Sequence, residues 1–313
     1  MRIVFIGTGE IGVPVLRSLL NSAEHQLIGV VTQPDKPAGR ELRIAAPPIK
    51  AAMAGCAVPI FQPARIKQEE AAAQIRALAP DVIVVMAYGQ ILPRSVLQVP
   101  RLACLNLHAS LLPWHRGAAP IQAAILAGDR ESGITVIYMD EGLDTGDILL
   151  QSHLEIAADE TGGSLHDRLS QIAPAALDEA LTHLHQGNAS RVPQDSSIAT
   201  YAPKLEREDG RIDWSEAAAL IERKIRAFDP WPGAFALIRD AVGRERKLKI
   251  FSATVVPAAQ SAPGEIVRSD GSIVIVAKDG ALSLGEVQLE GKRRMNAAEF
   301  LRGYPGSCQT VLM

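Results

Sequence analysis

The stretch from Cys104 to Leu149, CLNLHASLLPWHRGAAPIQAAILAGDRESGITVIYMDEGLDTGDIL, contains the residues that decide the fold. Its apolar start predicts a buried strand that carries Asn106 and His108 near its end. A turn follows, and then the pattern predicts a helix over about 118–127, a strand over 133–139 and a loop with three aspartates. Strand, helix and strand therefore bring an amide, an imidazole and carboxylates to one edge of a parallel sheet, where open α/β folds place their ligands.

The residues before this stretch alternate between apolar runs and helical patterns, as expected of βαβ units. Runs at 3–6 and 26–32 predict strands on either side of a helix over 13–20. The run 81–86, DVIVVM, is almost continuously apolar and β-branched, which is typical of a central parallel strand buried on both faces. We therefore predict an α/β domain with a doubly wound, mostly parallel, Rossmann-like sheet over residues 1–189.

The sequence pattern changes after this predicted domain. Residues 190–204 are polar and rich in turn formers, and they predict a linker. Residues 205–313 contain five strand-like runs, several of them separated by Gly or Asp-Gly turns. A segment of this size with short, evenly spaced strands predicts a small, OB-like β-barrel domain.

A glycine-rich turn follows the first predicted strand. Gly7, Gly9 and Gly12 match the GxGxxG pattern of dinucleotide-binding folds. Such a site also needs an acidic residue about 20 residues further on, near the end of the second strand, to hold the ribose. Thr32 and Gln33 stand there instead. The sequence therefore favours a turn that lets the helix pack close to the sheet, and we expect no NAD.

Composition bounds the function without deciding it. The chain of 313 residues is 47% hydrophobic and 21% charged, with a formal net charge of −3, which is ordinary for a globular enzyme. From Lys204 onward there are 17 Lys and Arg against 15 Asp and Glu, so the remainder is more acidic. This asymmetry permits a polyanionic partner for the C-terminal part.

Cysteine spacing and apolar runs exclude several classes of protein. Cys56, Cys104 and Cys308 lie far apart and form no CxxC or Cys/His pattern, so we expect neither a metal site nor a disulfide framework. The first residues read as a strand rather than as a secretory signal. The longest apolar run, 82–93, is too short to span a bilayer, and we expect a cytoplasmic protein.

Asn106, His108 and Asp144 are the candidate catalytic residues. An Asn amide can donate to an oxyanion, a His can carry a proton near neutral pH, and a carboxylate can orient that His. No nucleophile accompanies them, because Ser110 lacks the GxSxG elbow. Such a set fits group transfer between two bound substrates. The alternative is structural, with Asn106 as a turn residue and Asp144 as a helix cap.

The same stretch carries a family resemblance. NLHASLLP at 106–113, RG at 116–117 and GLDTGD at 142–147 resemble the folate-dependent formyltransferase family. One departure is Gly7-Thr8-Gly9, where the family usually has a Gly-Thr-Pro type turn. The resemblance extends along the chain through QPDKPAGR at 33–40, VVMAYGQILP at 84–93, GAAPIQ at 117–122, RIDW at 211–214 and IRAFDPWPG at 225–233.

The resemblance implies transfer of the formyl group of 10-formyltetrahydrofolate to the α-amino group of methionyl initiator tRNA, for translation initiation. It implies that Asn106, His108 and Asp144 are catalytic, with no metal, and that residues 205–313 bind tRNA. The residues it implies for folate binding are Met86, Tyr88, Gly89, Ile91, Leu92, Ser110, Leu111, Leu112, Pro113 and Asp140. For tRNA, the resemblance implies that Arg40 contacts the acceptor stem. Two basic regions supply further candidates for tRNA contacts, Lys36 and Arg43 in the loop 33–50 and Arg246 and Lys247 in the C-terminal domain.

Other functions remain open from the sequence. A formyltransferase for a small amine, such as a nucleotide sugar or glycinamide ribonucleotide, would share the three residues, and a hydrolase that releases formate is a further variant. An NAD(P)-dependent reductase would use the glycine turn and leave Asn106, His108 and Asp144 without a role. A pure RNA-binding module would account for the basic C-terminal runs alone.

Overall fold

The computed structural model describes residues 1–38, 43–239, 243–257, 261–269, 272–303 and 311–312. The chain divides into two compact units. The first comprises Met1–Pro120, Glu131–Glu155 and His166–Pro203, and the second comprises Ile121–Arg130, Ile156–Leu165 and Lys204–Met313.

The first unit is built on a seven-stranded sheet. Its strands, with two short pairs beside the sheet, are β1 (Arg2–Gly7), β2 (Gln26–Val31), β3 (Lys36–Ala38), β4 (Arg43–Ala45), β5 (Ile60–Phe61), β6 (Val82–Met86), β7 (Ala103–His108), β8 (Arg116–Gly117), β9 (Glu131–Tyr138), β10 (Ile148–Glu155) and β11 (Tyr201–Ala202). The helices up to residue 186 are α1 (Val13–Asn21), α2 (Pro48–Ala52), α3 (Glu69–Ala77), α4 (Arg94–Leu97), α5 (Pro120–Ala127) and α6 (Gly162–Gln186).

The order of strands across the sheet is β10-β9-β7-β6-β1-β2-β5. The strands from β7 to β5 are parallel. The two central ones, β1 after Arg2 and the whole of β6, are apolar and buried. Each fully buried Val or Ile contributes roughly 1.5–3 kcal/mol relative to an exposed one, so these strands hold the sheet together. The predicted doubly wound, mostly parallel sheet is confirmed.

The strand after α5 differs from the expectation in direction. β9 pairs antiparallel with β7, with Tyr138 opposite Leu105 and Thr135 opposite His108. Its carboxyl end therefore lies beside the beginning of β7 rather than beside the end. The loop of Asp144 reaches the predicted site by turning back along β7 before β10 begins at Ile148. The expectation that this strand runs parallel to β7 and ends at the same edge of the sheet is therefore wrong. The apolar pattern of a buried strand does not record its direction.

The first glycine turn packs tightly against the sheet. A Cβ on Gly7 would lie 2.8 Å from the carbonyl oxygen of Met86, and one on Gly9 would lie 3.2 Å from the Cβ of Ala87. The backbone N–H groups of Thr8 and Gly9 both donate to the carbonyl oxygen of Ala87 at 3.2 Å. A Cβ on Gly12, just before α1, would lie 3.2 Å from the ring of Phe5 in β1, so the turn lets the helix begin close to the sheet, as predicted.

The segment 33–50 contains more structure than the sequence pattern indicates. Lys36 pairs with Ala45 and Pro37 with Ile44, so β3 and β4 form a short antiparallel hairpin before α2 begins at Pro48. Arg40 lies outside the described residues.

The second unit is mostly antiparallel. A five-stranded sheet in the order β19-β18-β13-β12-β20 and a four-stranded sheet in the order β14-β17-β16-β15 share a core with two helices. These elements are α7 (Ala218–Ala227), β12 (Phe235–Arg239), β13 (Glu245–Ile250), β14 (Ala253–Val256), β15 (Ile266–Ser269), β16 (Ser272–Val276), β17 (Ala281–Leu284), β18 (Glu286–Leu289), β19 (Met295–Asn296), α8 (Ala297–Gly303) and β20 (Val311–Leu312).

Two of the five strand-like runs of the sequence, 248–256 and 281–289, are each split at a corner. The chain leaves one sheet and enters the other at Ser252, between β13 and β14, and again at Gly285, between β17 and β18. The two corners lie together, because the N–H of Gly285 donates to the carbonyl of Ser252 at 2.8 Å. Strands that switch sheets in this way are typical of small barrels, and the predicted antiparallel C-terminal unit is confirmed.

Candidate active site

Asn106, His108 and Asp144 come together in the first unit. Asn106 and His108 are two positions apart on β7, so their side chains lie on the same face of the sheet. The amide of Asn106 donates from Nδ2 to Oδ1 of Asp144 at 3.2 Å. The other carboxylate oxygen, Oδ2, lies 3.5 Å from Nδ1 of His108. Residues from a strand and from a distant loop thus form one hydrogen-bonding cluster.

The Asp144 carboxylate is held by more than its two predicted partners. The backbone N–H of Gly117 donates to Oδ2 at 2.9 Å. Asp144 itself has a φ of +54°, in the left-handed region that a residue with a side chain adopts only at a cost. Such a conformation persists where surrounding contacts fix it, and it is common at functional sites.

The surroundings of His108 determine where its protons lie. The imidazole is only 6% exposed, and its Nε2 is 2.9 Å from the carbonyl oxygen of His115. A carbonyl can only accept, so Nε2 carries a proton. Nδ1 faces the Asp144 carboxylate, which also accepts. The two ring nitrogens of His108 thus face a backbone carbonyl and a carboxylate.

Thr135 hydrogen-bonds to the backbone of residues 110–113, the segment predicted to form one wall of the folate site. Its Oγ1 donates to the carbonyl of Ser110 at 2.6 Å and accepts from the N–H of Leu112 at 3.1 Å and from Gln151 at 3.0 Å. The hydroxyl of Ser110 donates to the carbonyl of Trp114 at 2.7 Å, so it is engaged away from any nucleophilic role. Ser110, Leu111, Leu112 and Pro113 are all buried.

The residues predicted for folate on the loop after β6 have different exposures. The side chains of Met86, Tyr88 and Leu92 are buried, and burial raises the pKa of Tyr88 to about 12. Tyr88 and Leu92 belong to the hydrophobic core beside β1 and β6. Gly89 is exposed and Ile91 is 76% exposed. Of the five residues predicted for folate on this loop and the end of β6, Gly89 and Ile91 are the exposed ones.

The backbone of this loop is tied to the glycine turn and to the segment that follows β2. The carbonyl of Tyr88 accepts from Oγ1 of Thr8 at 3.0 Å and from Nε2 of Gln33 at 2.7 Å. Asp140, on the loop of Asp144, is exposed and accepts from the N–H of Gly142 and from Oγ1 of Thr145. Asp140 therefore shapes its own loop.

The predicted tRNA-binding residues that the structure describes lie in two places. Lys36 and Arg43 are exposed on the β3–β4 hairpin, and Nζ of Lys36 donates to the side chain of Gln33. Arg246 and Lys247 lie on β13 in the second unit. Lys247 forms an ion pair with Glu208 at 2.8 Å and lies 4.1 Å from the ring centroid of Phe235.

Two residues at the site were missed from the sequence. Gln194 donates to the carbonyl oxygens of Asp144 and Gly146, and Thr200 accepts from the N–H of His115. Both lie in the polar segment 190–204, where nothing in the spacing distinguishes them from turn residues. The structure shows why such partners are needed, because Arg116 is only 2% exposed and a buried guanidinium requires hydrogen-bond acceptors.

Neither a membrane span nor a metal-binding cluster is found in the part of the chain that the structure describes. The helices there are too short or too polar to cross a bilayer. The same residues contain no group of three His, Cys, Asp or Glu side chains that could hold a metal ion.

The chain is similar in sequence to proteins named methionyl-tRNA formyltransferase. It is 44% identical over 307 residues to that of Akkermansia muciniphila, covering 97% of each chain. It is also 44% identical over 315 residues to that of Methylacidiphilum infernorum, covering 100% of this chain and 98% of the relative.

Solved structures share the fold at lower identity. The N-formyltransferase from Helicobacter canadensis, in complex with folinic acid and dTDP-3-aminofucose, is similar with a TM-score of 0.67 at 16% identity, over 91% of this chain and 99% of that one. HypX from Aquifex aeolicus in complex with tetrahydrofolic acid has a TM-score of 0.63 at 20% identity, over 96% of this chain. The match covers 47% of HypX, so this chain spans about half its length.

Two family models match consecutive parts of the sequence. The model described as formyl transferase matches residues 1–181. The model described as formyl transferase, C-terminal domain, matches residues 204–305. Together with relatives at 44% identity along nearly the whole chain, these matches show that the chain belongs to the formyl transferase family.

Proposed function

We propose that this protein transfers the formyl group of 10-formyltetrahydrofolate to the α-amino group of methionine on initiator tRNA. One observation carries the proposal: the Asp144 carboxylate joins Asn106 and His108 in a chain that matches, end to end, relatives named methionyl-tRNA formyltransferase. The reaction supplies formyl-methionyl-tRNA for translation initiation, which places the protein in the cytoplasm.

The proposed reaction needs no nucleophile from the protein. The methionyl amine attacks the formyl carbon and forms a C–N bond, which gives a tetrahedral intermediate with a negative oxygen. The bond from that carbon to N10 of the folate then breaks. The proton lost by the amine is gained by N10, so tetrahydrofolate and formyl-methionyl-tRNA are the products.

Asn106 is proposed to stabilise the oxyanion. Its amide has two N–H groups, of which one is donated to Asp144, so the other is available for the developing negative oxygen. His108 adds positive charge when it carries a proton on each nitrogen. Donors already in place before the reaction cost no reorganisation when the charge appears.

Asp144 is proposed to move the proton from the amine towards N10. Its carboxylate lies beside His108 and Asn106 and is 13% exposed, so it combines a fixed position with access to the substrates. A positioned carboxylate that accepts and returns a proton contributes typically 10²–10⁴-fold to a rate.

We propose that folate binds along the loop after β6 and the wall 110–113. The backbone around Gly89 is exposed, and it is held by Thr8 and Gln33 through the carbonyl of Tyr88. Ile91 would cover the pterin, while Met86, Tyr88 and Leu92 would support the loop from the core. Asp140 and the buried residues 110–113 would fix the opposite side of the ligand.

We further propose that residues 205–313 bind tRNA together with the β3–β4 hairpin. Lys36 and Arg43 are exposed on that hairpin, and Arg40 lies in the same segment. Arg246 and Lys247 would contact phosphates from the second unit. Contacts between such side chains and phosphates give affinity that falls as salt rises.

The test is direct formylation. The protein is incubated with 10-formyltetrahydrofolate and methionyl initiator tRNA, and formyl-methionine is measured by mass spectrometry after hydrolysis of the ester. Parallel reactions replace the acceptor by an uncharged initiator tRNA, a nucleotide-linked amino sugar or water alone, and the folate by NADH. Formyl-methionine in the first reaction supports the proposal. Formyl-sugar, formate release or NADH oxidation without formyl-methionine would overturn it.

A further inference from the structure

Arg116 is a buried cation whose partners are neutral. Its Nε and Nη2 donate to Oε1 of Gln194 at 3.0 and 2.7 Å, and Nη2 also lies 3.4 Å from Oγ of Ser196. These two hydrogen-bond partners of the guanidinium, an amide and a hydroxyl, carry no charge. Burying a guanidinium costs free energy unless it is hydrogen-bonded, so the Gln194 amide oxygen has a specific structural role.

The other end of the Gln194 amide holds the loop of Asp144. Its Nε2 donates to the carbonyl oxygens of Asp144 at 2.8 Å and of Gly146 at 2.7 Å. Both N–H groups and the oxygen of this amide are therefore engaged. The backbone bonded by Gln194 includes Asp144, whose φ of +54° is a conformation that persists only where surrounding contacts fix it.

The segment around Gln194 also holds the turn after the wall 110–113. Tyr201 pairs with Arg116 in the short parallel β8–β11 ladder, and the N–H of Arg116 donates to the carbonyl of Thr200 at 2.9 Å. Oγ1 of Thr200 accepts from the N–H of His115 at 2.8 Å. The carbonyl oxygen of His115 is the hydrogen-bond partner of Nε2 of His108. One segment thus fixes the neighbours of both His108 and Asp144.

We propose that Gln194, anchored by Arg116, is a positioning residue for the formyl transfer reaction: it holds the Asp144 carboxylate against Asn106 and His108. It touches no substrate and acts through the backbone of the Asp144 loop. The inference rests on the proposed function of the site, because its effect is read in the rate of formyl transfer.

The expected effect follows from the geometry. Without the two donors from Gln194, the carbonyls of Asp144 and Gly146 lose their fixed partner, and the Asp144 backbone can leave the left-handed region. Misplacement of a catalytic group by about 1 Å can cost roughly 10²-fold in rate. We therefore expect kcat to fall about 10- to 100-fold, with the KM values for folate and tRNA changed by less than about twofold.

Two substitutions separate the roles of this amide. Gln194→Glu keeps an oxygen acceptor for Arg116 and gains a charge opposite the guanidinium, but it removes both donors to the loop. Gln194→Met keeps the side-chain length and removes the hydrogen bonds at both ends. Ser197→Ala, in the same segment and bonded only to Asp195 in the described contacts, is the matched control and keeps the parent kcat.

The experiment is a double-mutant cycle in single-turnover formylation, with Gln194→Glu made in the parent chain and in an Asp144→Asn chain. The proposal expects a 10- to 100-fold loss in the parent and less than about twofold in the Asp144→Asn background, because the carboxylate to be positioned is then absent. An equal loss in both backgrounds would overturn the proposal, as would an effect on KM alone. Absence of formyl transfer in the parent chain overturns the proposed function instead, so the two failures are distinguishable.

Discussion

Asn106 can lose its side chain without disturbing the sheet, because its strand pairing with Val85 and Ile137 uses the backbone alone. We predict that Asn106→Ala lowers kcat for formyl transfer about 10²- to 10³-fold, the usual cost of losing an oxyanion donor. The melting temperature should stay close to that of the parent. Steady-state kinetics and thermal unfolding measure the two quantities.

A surface amide provides the control for this substitution. Asn188 lies in an exposed turn after α6, where its side chain contacts His183 and Gln186. Asn188→Ala should leave kcat unchanged. A loss of less than about tenfold in Asn106→Ala would show that this amide is not the oxyanion donor.

The grouping of candidate site residues was predictable where those residues are close together in sequence. Asn106 and His108 are two apart on one strand, so any strand places them on one face. The loop motif of Asp144 was recognisable by its resemblance. Gln194 was not predictable, because its bonds to Asp144 cross 50 positions and a glutamine in a polar segment has no periodic signature.

Among the elements, the loop after β6 allows the most direct test of the proposed folate site. Gly89 has a φ of +81°, and a Cβ there would lie 2.8 Å from Nε2 of Gln33, which holds the carbonyl of Tyr88. We predict that Gly89→Ala weakens binding of a folate analogue at least severalfold in calorimetry, because the new methyl displaces Gln33 and strains the loop.

Gly55 is a matched control for the backbone strain at Gly89. It also has a φ of +81°, but a Cβ there meets nothing within 4 Å. Gly55→Ala therefore carries the same left-handed cost, roughly 1–2 kcal/mol, without a nearby contact. We expect it to lower the melting temperature and to leave folate affinity unchanged. Equal affinities in the two variants would remove this loop from the folate site.

A carboxylate also fastens the beginnings of two central strands. Asp81, just before β6, accepts from the N–H of Arg2 at 2.9 Å and from Nε of Arg101 at 3.0 Å. The backbone donor of Arg2, helped by the guanidinium of Arg101, holds the pKa of Asp81 below its usual 3.8. A carboxyl whose pKa is lower in the folded state stabilises the fold above the unfolded pKa and loses this effect as pH falls through the folded pKa.

We therefore predict that Asp81→Asn lowers the melting temperature by a few degrees at pH 7. The difference from the parent should shrink as pH falls below about 4 and vanish where the carboxyl of the folded parent is protonated. Thermal unfolding across this range measures it. Asp159→Asn, at an exposed carboxylate, is the control and should keep the melting temperature of the parent at pH 7. A difference for Asp81→Asn that is independent of pH would contradict the charge argument.

The elements themselves were predictable to different degrees. Buried, β-branched runs such as 81–86 identified the central strands, because burial on both faces leaves a continuous apolar pattern. The direction of β9, the β3–β4 hairpin and the corners at Ser252 and Gly285 were not predictable. Each depends on contacts with a strand elsewhere in the chain, which local periodicity does not encode.

At the scale of the whole molecule, the salt dependence of binding distinguishes a nucleic-acid acceptor from a small one. Each phosphate contact lowers log K by about 0.9 per unit of log salt on duplex DNA, and RNA should behave similarly. We predict that Arg40→Ala and Arg246→Ala each weaken tRNA binding and reduce the salt slope by about one contact. Filter binding between about 50 and 200 mM salt measures the affinity and its salt slope, since affinity changes strongly over this range of salt.

Arg76 is the matched basic residue for this measurement. It is exposed on α3 and 3.5 Å from Glu69, away from both predicted basic regions in sequence. Arg76→Ala should keep the affinity and the slope of the parent. Unchanged tRNA affinity in Arg40→Ala would exclude the segment of Arg40 from tRNA binding. For a small acceptor that contacts neither basic region, the affinity should not depend on salt.

The segment with Gln194 and Thr200 also has a consequence for how a nascent chain becomes active. Asn106, His108 and Asp144 are all translated before Gln194, which follows Asp144 by 50 positions. At about 5–20 residues per second, the ribosome needs roughly 3–10 s to cover that distance. During this interval the emerging polypeptide already holds its reactive side chains but lacks the residues that fix them. From the positioning role proposed for Gln194, we expect catalytic competence only after the β11 residues have left the exit tunnel.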